Sequence, residues 1–189
     1  NNAREFVVTD KKRESLLVTS FTFTPVNSEQ VLDYQSGQYI GIEVKPESAE
    51  YKEIRQYSLS QRSNGQDYRI SVKREGAETE HRGVVSNHLH DNVKVGDSVR
   101  LYAPAGDFFY TEKHQPVVLI SAGVGTTPMQ AMLQSLSHSK KQDVTYLHAC
   151  NDQGQHSFID ETSTLIAANQ WQQSIWYLEG EADFTGQMD

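Results

Sequence analysis

The chain of 189 residues and 21.4 kDa has a globular composition, with 37% hydrophobic and 22% charged residues, and its length predicts one large domain or two small ones. Its 17 Lys and Arg against 25 Asp and Glu give a formal net charge of -8, which argues against a nucleic-acid binder that depends on neutralising phosphates. One cysteine, Cys150, excludes an internal disulfide and a Cys-rich metal site and favours a reducing, cytoplasmic setting, and no apolar run approaches the ~20 residues that span a bilayer.

Short strands are predicted in the first half of the chain, because apolar residues recur there with a period of two. An Asn-Gly pair at Asn64 and Gly65 suits a hairpin turn between two of these segments. Several short strands at this spacing favour an antiparallel barrel or sandwich. The alternating apolar residues are Leu16 and Val18, Phe21 and Phe23, then Ile40, Ile42 and Val44, and finally Tyr68, Ile70 and Val72.

The pattern changes after Gln115, where Val117 to Ile120 form a continuous apolar run typical of a buried parallel strand. Pro128 to Leu136 then carry apolar residues at helical spacing. A strand at 144–149, a helix at 158–168 and a strand at 175–178 complete a βαβαβ succession, which predicts a parallel sheet. We therefore expect a first domain over residues 1–112 and a second over 113–189.

A glycine-containing turn lies between the first strand and the first helix of the second domain. Gly123 and Gly125 leave the backbone open to a phosphate or a ring, and the amides at a helix N-terminus attract anions. The turn lacks both the third glycine of the dinucleotide fingerprint and the Gly-Lys-Ser/Thr ending of a triphosphate loop. It predicts either an anion-binding turn or a tight connection without a ligand.

Arg55, Gln56, Tyr57 and Ser58 follow one another on a predicted strand of the first half. A guanidinium, an aromatic ring and a hydroxyl this close together suit a conjugated ring with a pyrophosphate. Alternation places Arg55 and Tyr57 on one face of the strand, and Gln56 and Ser58 on the other. The alternative is an ordinary strand whose tyrosine packs inside the barrel.

Gly83 precedes a short predicted helix and offers a second amide-lined anion site. Arg82, together with Lys73 or Arg74, could add positive charge to it. The alternative is a solvated, charged edge that caps the barrel.

The remaining residues with metal-binding or nucleophilic side chains form no matching pattern. His88 and His90 have no third ligand at a suitable spacing, so we interpret them as surface or capping residues. Cys150 is interpreted as a small buried apolar residue rather than a nucleophile.

Taken in chain order, five segments resemble the ferredoxin-reductase-like flavoproteins, and within them the reductase part of flavohaemoglobins, the bacterial and fungal nitric oxide dioxygenases. The resemblance covers nearly the whole chain and is more specific than any one segment. The segments are Gly37 to Ile40, Val72 to Glu75, Val84 to His90, Pro104 to Phe109, and Ser121 to Met129.

The resemblance implies an antiparallel β-barrel FAD-binding domain followed by an α/β parallel-sheet domain that binds NADH or NADPH. Tyr57 would lie against the isoalloxazine and Ser58 near its hydride-accepting nitrogen, as the catalytic residues, and Arg55 would hold the pyrophosphate. The full implied cofactor set is Tyr39, Arg55, Gln56, Tyr57 and Ser58 for the flavin, Gly83, Val84, Val85 and Ser86 for the pyrophosphate, and Gly123, Val124, Gly125, Thr126, Thr127 and Pro128 for the nicotinamide nucleotide.

The implied reaction is hydride transfer from NAD(P)H to FAD, followed by electron transfer to a haem. The implied partners are the nicotinamide nucleotide and a haem-bearing globin domain or another electron acceptor, with no nucleic acid, no membrane and no metal bound by this chain.

The chain departs from the family pattern at both ends. Nothing before Phe6 could hold a haem, and the family's Cys-Gly-Pro and Phe-Gly-Pro segments are missing, since Cys150 precedes Asn151 and the last proline is Pro128. We therefore expect a fragment or truncated homologue whose α/β domain is incomplete at the C-terminus. Two alternatives remain: the reductase component of another oxygenase or electron-transfer system, and a flavin-binding module without turnover.

Overall fold

The structure, a computed structural model, describes residues 3–27, 29–76, 79 and 82–188. In these ranges ten strands and three α-helices follow one another along the chain. They are β1 (Arg4–Arg13), β2 (Val18–Pro25), β3 (Tyr39–Val44), β4 (Glu53–Ser58), β5 (Tyr68–Lys73), α1 (Val84–Asp91), β6 (Ser98–Leu101), β7 (Val117–Ala122), α2 (Thr126–His138), β8 (Val144–Cys150), α3 (Ile159–Asn169), β9 (Gln172–Tyr177) and β10 (Phe184–Thr185).

The first six strands form one antiparallel sheet in the order β4-β3-β6-β1-β2-β5. A bridge between Leu59 and Ile70 joins the chain just after β4 to β5, so the two edges of the sheet meet and the sheet takes a barrel form. Alternate side chains such as Phe21 and Phe23 point into the barrel and are fully buried. The antiparallel barrel predicted from the period-two pattern is confirmed.

Two strands of the barrel, β1 and β6, were not predicted from the sequence. β1 lies between β2 and β6, and its first residue, Arg4, pairs with Leu101 of β6. Only Phe6 and Val8 of β1 are buried, and much of the strand is charged, so its alternation is too short to detect. β6 has four residues, of which Val99 and Leu101 are buried.

The second domain is a parallel sheet in the order β10-β9-β8-β7. The predicted βαβαβ succession is confirmed, and the two-residue strand β10 adds a fourth strand to the three expected. α2 starts two residues before Pro128, which therefore lies in its first turn, where its missing N–H removes no hydrogen bond. The domain boundary proposed at residues 112 and 113 falls between β6 and β7 and stays a prediction.

One face of the parallel sheet packs against α2 and α3. Met132 and Leu133 of α2 form a buried cluster with Leu119 of β7 and Tyr146 of β8, with Ile166 of α3 packed against it. None of the helices in the described ranges is both long and apolar enough to cross a bilayer.

The two domains meet through polar contacts. Arg69 of β5 forms an ion pair with Glu161 of α3, with 3.1 Å between guanidinium nitrogen and carboxylate oxygen. The hydroxyls of Ser36 and Ser135 lie 2.6 Å apart. The Leu16 amide donates to the Gly154 carbonyl over 2.8 Å. These contacts set the width of the cleft between barrel and α/β domain.

Candidate functional site

Strand β4 brings the Arg-Gln-Tyr-Ser segment to the edge of the barrel that faces the α/β domain. Tyr57 packs its ring against the barrel core, and this burial raises its pKa to about 12. The charge of Arg55 lowers the pKa by a smaller amount, and that of Glu75 raises it. Arg55 donates to the Glu53 carboxylate over 2.9 Å and to the Ile54 carbonyl over 2.8 Å. The tyrosine is therefore a neutral, fixed aromatic surface beside an exposed guanidinium.

The N-terminus of α1 forms a second part of the site. Gly83 precedes the helix in an extended conformation, and a Cβ there would lie 2.6 Å from the Ser86 hydroxyl and 2.9 Å from Glu75 Cβ. Ser86 accepts a hydrogen bond from the Glu75 amide over 3.2 Å, which fixes the approach to the helix. The first amides of a helix have no partner within the helix, so this end attracts anions.

The two arginines considered for this anion site are engaged elsewhere. Arg74 donates to Asp91 over 2.7 Å and Arg82 donates to the same carboxylate over 2.9 Å. The hydrogen bond from Arg74, with the charge of Arg82, lowers the pKa of Asp91. Lys73 supplies the positive charge at the site instead, 3.6 Å from Glu75.

The turn after β7 is a single 3-10 turn over Gly123–Gly125. Gly123 has a φ of +51°, a conformation that side chains rarely adopt. A Cβ added at Gly123 or Gly125 would meet no atom within 4 Å. The backbone of the turn therefore faces open space that a ligand can fill.

Side chains flanking the turn hold it to the sheet. Thr126 and Ser121 place their hydroxyls 2.7 Å and 3.0 Å from the Tyr146 hydroxyl. Ser121 also lies 2.8 Å from Nδ1 of His148. Thr126 is thus turned away from the ligand space, and it fastens the start of α2 to β8.

These segments surround one cavity of about 490 Å³ between the two domains, which we call the cleft cavity. It brings together twelve of the fifteen residues implied by the sequence; Tyr39, Gly123 and Thr126 do not line it. Three lining residues, Ser71, Lys73 and Glu75, lay outside that set. The cleft cavity is lined by Arg55, Gln56, Tyr57, Ser58, Ser71, Lys73, Glu75, Gly83, Val84, Val85, Ser86, Val124, Gly125, Thr127 and Pro128.

All four residues of the Arg-Gln-Tyr-Ser segment border the cleft cavity, although alternation places them on two faces. β4 is the last strand of its sheet, so backbone as well as side chains can border the space there. Tyr39 pairs with Ser58 across β3 and β4. Its ring packs directly against Gly106, because a Cβ added to that glycine would lie 2.8 Å from a carbon of the ring.

A second cavity, of about 420 Å³, lies at the carboxyl ends of the parallel strands. Gly123 and Val124 line it together with Asn151 and Gln155. In open α/β sheets this edge is where ligands bind. We call it the strand-end cavity.

Cys150 also lines the strand-end cavity and is half-buried rather than fully buried. Burial, with the nearby charge of Asp152, raises the pKa of its thiol to about 11. The thiol therefore stays protonated at neutral pH, in keeping with the expectation that it is not a nucleophile.

A further cavity, of about 810 Å³, lies apart from all fifteen implied site residues. It is bordered by β3, β6 and the second half of α1, with His88, Asn92 and Arg100 in its wall. His90 is half-buried, and its Nε2 lies 2.7 Å from the Val72 carbonyl. We place the site in the cleft because the ring of Tyr57, the N-terminus of α1 and the open backbone at Gly125 meet there.

The cleft cavity suits a dinucleotide cofactor with a flat ring. It offers an aromatic face at Tyr57, hydroxyls at Ser58 and Ser71, and a helix N-terminus with room for a phosphate. Among the described residues, no group of three His, Cys, Asp or Glu could hold a metal ion.

Two imidazoles, those of His148 and His156, are buried in the α/β domain behind the turn. The rings of His148 and His156 lie 4.8 Å apart, and His156 Nδ1 lies 2.8 Å from the Tyr177 hydroxyl. Burial lowers the pKa of each histidine to about 4, for His148 with a further effect of His156. Both rings are therefore neutral at pH 7, and the sequence analysis did not single them out.

Comparisons with known proteins agree with this geometry. The oxidoreductase FAD-binding domain family matches residues 5–110, and the oxidoreductase NAD-binding domain family matches residues 119–188. A curated flavohaemoprotein of Vibrio cholerae serotype O1 is 60% identical over 182 residues, 96% of this chain and 46% of that protein. The chain thus spans about half the length of this relative.

Two solved structures are also similar. The flavohaem-like FAD/NAD-binding domain of nitric oxide dioxygenase from Vibrio cholerae O1 biovar El Tor superposes with a TM-score of 0.98 at 59% identity, covering 100% of this chain and 81% of that one. A flavohaemoglobin from Malassezia yamatoensis with bound FAD and haem reaches a TM-score of 0.86 at 21% identity, covering 100% of this chain and 49% of that one, which supports the fold.

Proposed function

Because this chain belongs to the family of flavohaem-type oxidoreductase domains that bind FAD and NAD, we propose that it is the reductase module of a nitric oxide dioxygenase. In this role it takes a hydride from NADH or NADPH onto FAD and passes the electrons singly to a haem in a globin domain. The single observation that carries the proposal is the cleft cavity, in which segments from both domains meet around one space.

The barrel side of the cleft cavity supports the FAD part. We propose that Tyr57 packs against the isoalloxazine and that Ser58 donates to its hydride-accepting nitrogen. Arg55 and the α1 amides after Gly83 would hold the pyrophosphate. The neutral, partly buried ring of Tyr57 favours stacking, and the open helix end favours a phosphate. Tyr39 would contact the flavin from the neighbouring strand.

The α/β side supports the nicotinamide part. Gly125, Thr127 and Pro128 border the cleft cavity, whereas Gly123 borders the strand-end cavity and Val124 borders both. A nucleotide that spans the two cavities would place its nicotinamide next to Tyr57 and Ser58. Thr126 would act by holding the turn to Tyr146.

The flavin supplies the redox chemistry, and the protein supplies binding, orientation and electrostatics. In this proposal the hydride donor and the acceptor would share one space of about 490 Å³, and holding both reactants in one site favours a reactive geometry. The Tyr57 ring would hold the flavin and the glycine turn the nicotinamide nucleotide. The Lys73 ammonium and the helix dipole favour the anionic groups of both ligands.

The haem-bearing globin partner and a cytoplasmic location belong to the proposal as well. The 60% identity to a flavohaemoprotein supports the haem acceptor, and the single cysteine supports a reducing compartment.

An absorbance experiment tests the proposed function. The purified protein is loaded with FAD, freed of excess and treated with NADH without oxygen. We expect flavin bands that persist and then bleach. Bands without bleaching would favour a flavin-binding module without turnover. Bleaching with reduction of another oxygenase's iron–sulfur partner, but not of a globin haem, would favour a different electron-transfer system. Loss of the flavin on removal of the excess would contradict the proposal.

A further inference from the structure

A continuous row of hydroxyl groups crosses the outer face of the barrel and ends at a buried carboxylate. Ser60 and Ser71 lie 2.7 Å apart, Ser71 and Ser20 lie 2.7 Å apart, and Ser20 lies 2.7 Å from the Glu14 carboxylate. The three serine residues are at most 3% exposed. We call these four residues the serine chain.

The strand pattern explains why the serine chain lies outside the barrel. On β5, Tyr68, Ile70 and Val72 belong to the barrel core, so Ser71 points to the opposite face, toward the α/β domain. Ser20 is the partner of Ser71 in the register of β2 and β5. The row is therefore buried by the contact between the domains, and Ser71 forms part of the wall of the cleft cavity.

Counting protons shows that the serine chain has room for one more. Four of its contacts need a proton from its own members: the three above and one of 3.3 Å from the Ser60 hydroxyl to the Arg69 carbonyl. A fifth contact, from Arg69 Nε to the Ser60 hydroxyl over 3.1 Å, brings its own proton. Three hydroxyls hold only three protons, and an ionised Glu14 has none to give. Ser20 then donates to Glu14 and Ser60 to the carbonyl, so Ser71 can donate to only one of its two neighbours.

A proton on Glu14 completes the chain. The carboxylic acid donates to Ser20, Ser20 to Ser71, Ser71 to Ser60, and Ser60 to the Arg69 carbonyl, so that all four contacts are satisfied in one direction. The hydrogen bond between Ser20 and Glu14 therefore reverses direction when Glu14 gains or loses a proton, while the bond from Ser60 to the Arg69 carbonyl keeps its direction. Such a row conducts a proton without any side chain leaving its place.

The two ends of the serine chain have different surroundings. Ser71 borders the cleft cavity, next to Ser58. The Glu14 side chain is only 3% exposed, but it lies 3.4 Å from the ammonium of Lys12, whose side chain is 60% exposed. Further charged groups near the row are Arg69, which pairs with Glu161, and Lys73, which pairs with Glu75 at the wall of the cleft cavity. The carboxylate thus sits between a buried hydroxyl row and the solvent.

We propose that Glu14 is the proton acceptor of the cleft cavity and that Ser71 and Ser20 conduct the proton to it. The inference rests on the proposed function, because oxidation of the nicotinamide nucleotide by one-electron acceptors, NAD(P)H → NAD(P)⁺ + H⁺ + 2e⁻, leaves one proton to be removed. Ser71 accepts that proton at the cavity wall as its own passes to Ser20, and Ser20 passes its proton to the Glu14 carboxylate. Glu14, now a neutral acid, then releases the proton to solvent beside Lys12.

Two variants test the proposal in FAD-loaded protein that has been reduced chemically with dithionite. Glu14→Gln keeps the size and hydrogen bonding of the side chain but cannot take up a proton, and Ser71→Ala cuts the row at the cavity wall. Glu29→Gln and Ser163→Ala are matched controls at exposed positions away from the cleft. FAD affinity and the midpoint of unfolding are measured for each variant.

The first readout is the rate at which ferricyanide reoxidises the reduced flavin. Proton transfer by a placed side chain typically contributes 10²- to 10⁴-fold, so we expect both variants to be slower by about a hundredfold while the controls match the parent protein. The second readout is rapid-scan infrared spectroscopy. The parent should show a carboxylic-acid C=O band that rises during reoxidation and decays, and Glu14→Gln should lack it.

The outcomes separate this inference from the proposed function. Parent-like reoxidation and an unchanged infrared band in both variants would overturn the proton path, even if NADH bleaches the flavin. If NADH fails to bleach the flavin, the proposed reductase function is wrong, while the chemically reduced protein still decides the proton path. Failure to retain FAD would contradict both.

Discussion

Arg69 of the barrel and Glu161 of α3 join the two domains by an ion pair whose side chains are only 14% and 25% exposed. Gln134 of α2 also donates to Glu161, and Arg69 Nε donates to Ser60 of the serine chain over 3.1 Å. The contact that fixes the width of the cleft is therefore continuous with the row of hydroxyls at the cavity wall.

Glu161→Gln should loosen the domain contact and lower the free energy of unfolding by about 2 kcal/mol, since hydrogen bonds to charged groups contribute about 1.5–3 kcal/mol. Burial raises the pKa of Glu161, but the charge and hydrogen bonds of Arg69 outweigh it and the net pKa is below 4.5. The folded-state pKa is thus depressed. The stabilisation is complete above the unfolded value and is lost as pH falls through the folded one.

Urea unfolding at about pH 7 and about pH 3 checks this. The difference in the free energy of unfolding between the parent and Glu161→Gln should be smaller at the lower pH. Glu179→Gln, in an exposed loop, serves as the control. An equal difference at both pH values would contradict the role of the ionised carboxylate.

Gly83→Ala and Gly125→Ala should have opposite effects on stability. The Cβ at Gly83 would crowd Ser86 and Glu75, so we expect a loss of about 1–3 kcal/mol and weaker FAD binding. Gly125 has a helical φ of -60° and open space around it, so alanine there should leave stability unchanged or raise it by about 0.4–1 kcal/mol. Its methyl group should still weaken NADH binding, because it enters the cleft.

Thermal unfolding and titrations with FAD and NADH measure both effects. Unchanged NADH affinity in Gly125→Ala would show that the turn does not face the nucleotide. Unchanged stability in Gly83→Ala would show that the helix start can relax.

His148→Asn should make the free energy of unfolding less dependent on pH below about pH 6.5. The pKa of His148 is about 4 in the folded chain against 6.5 for the free side chain, so the unfolded chain binds more protons between these values. Stability therefore falls as pH drops from about 6.5 and levels off below about 4. Each such histidine adds up to about 1.4 kcal/mol per pH unit, and the asparagine removes one.

Asparagine keeps a polar atom near Nδ1 and can preserve the contact with Ser121. Urea unfolding measures the free energy of unfolding at about pH 7 and about pH 5. The change in this free energy between the two pH values should be smaller for the variant than for the parent. His138→Asn, at the exposed end of α2, should behave like the parent. A parent-like slope in His148→Asn would mean that folding does not lower the pKa of His148.

Arg55→Ala should weaken FAD binding about 10- to 100-fold, the loss expected for one charge-assisted contact of about 1.5–3 kcal/mol. Arg100→Ala is a close control, because its side chain is 49% exposed against 51% for Arg55, and each arginine pairs with a glutamate. Equilibrium titration measures the affinity of the parent and of both variants for FAD. Unchanged affinity in Arg55→Ala would refute its pyrophosphate role.

The sequence predicted the elements that alternate or run apolar over enough residues, and it missed those whose pattern is short. β5 and β7 were expected because Ile70 and Val118 belong to clear periodic or continuous runs, whereas β1 reads as charged after Val8. β10 has two residues and forms only by pairing with β9. Such strands depend on tertiary neighbours that no local pattern records.

The residues that line the cleft cavity could be singled out from the sequence where they are adjacent along the chain. Arg55 to Ser58 and the glycine turn carry their signal locally. Ser71 and Glu14 do not, because a serine on a strand has no pattern and their contacts through Ser20 join β5, β2 and the turn after β1 only after folding. Polar residues at alternate positions of β5 are the one local hint that its outer face is covered.

The central place of β1 in the barrel has a consequence for synthesis of the protein. Arg4 is made before its partner Leu101, which follows almost one hundred positions later. At about 5–20 residues per second, β1 waits roughly 5 to 20 s for its second neighbour on the ribosome. During that interval the edge of β1 that later pairs with β6 has no partner, so it is open to pairing with a strand of another chain.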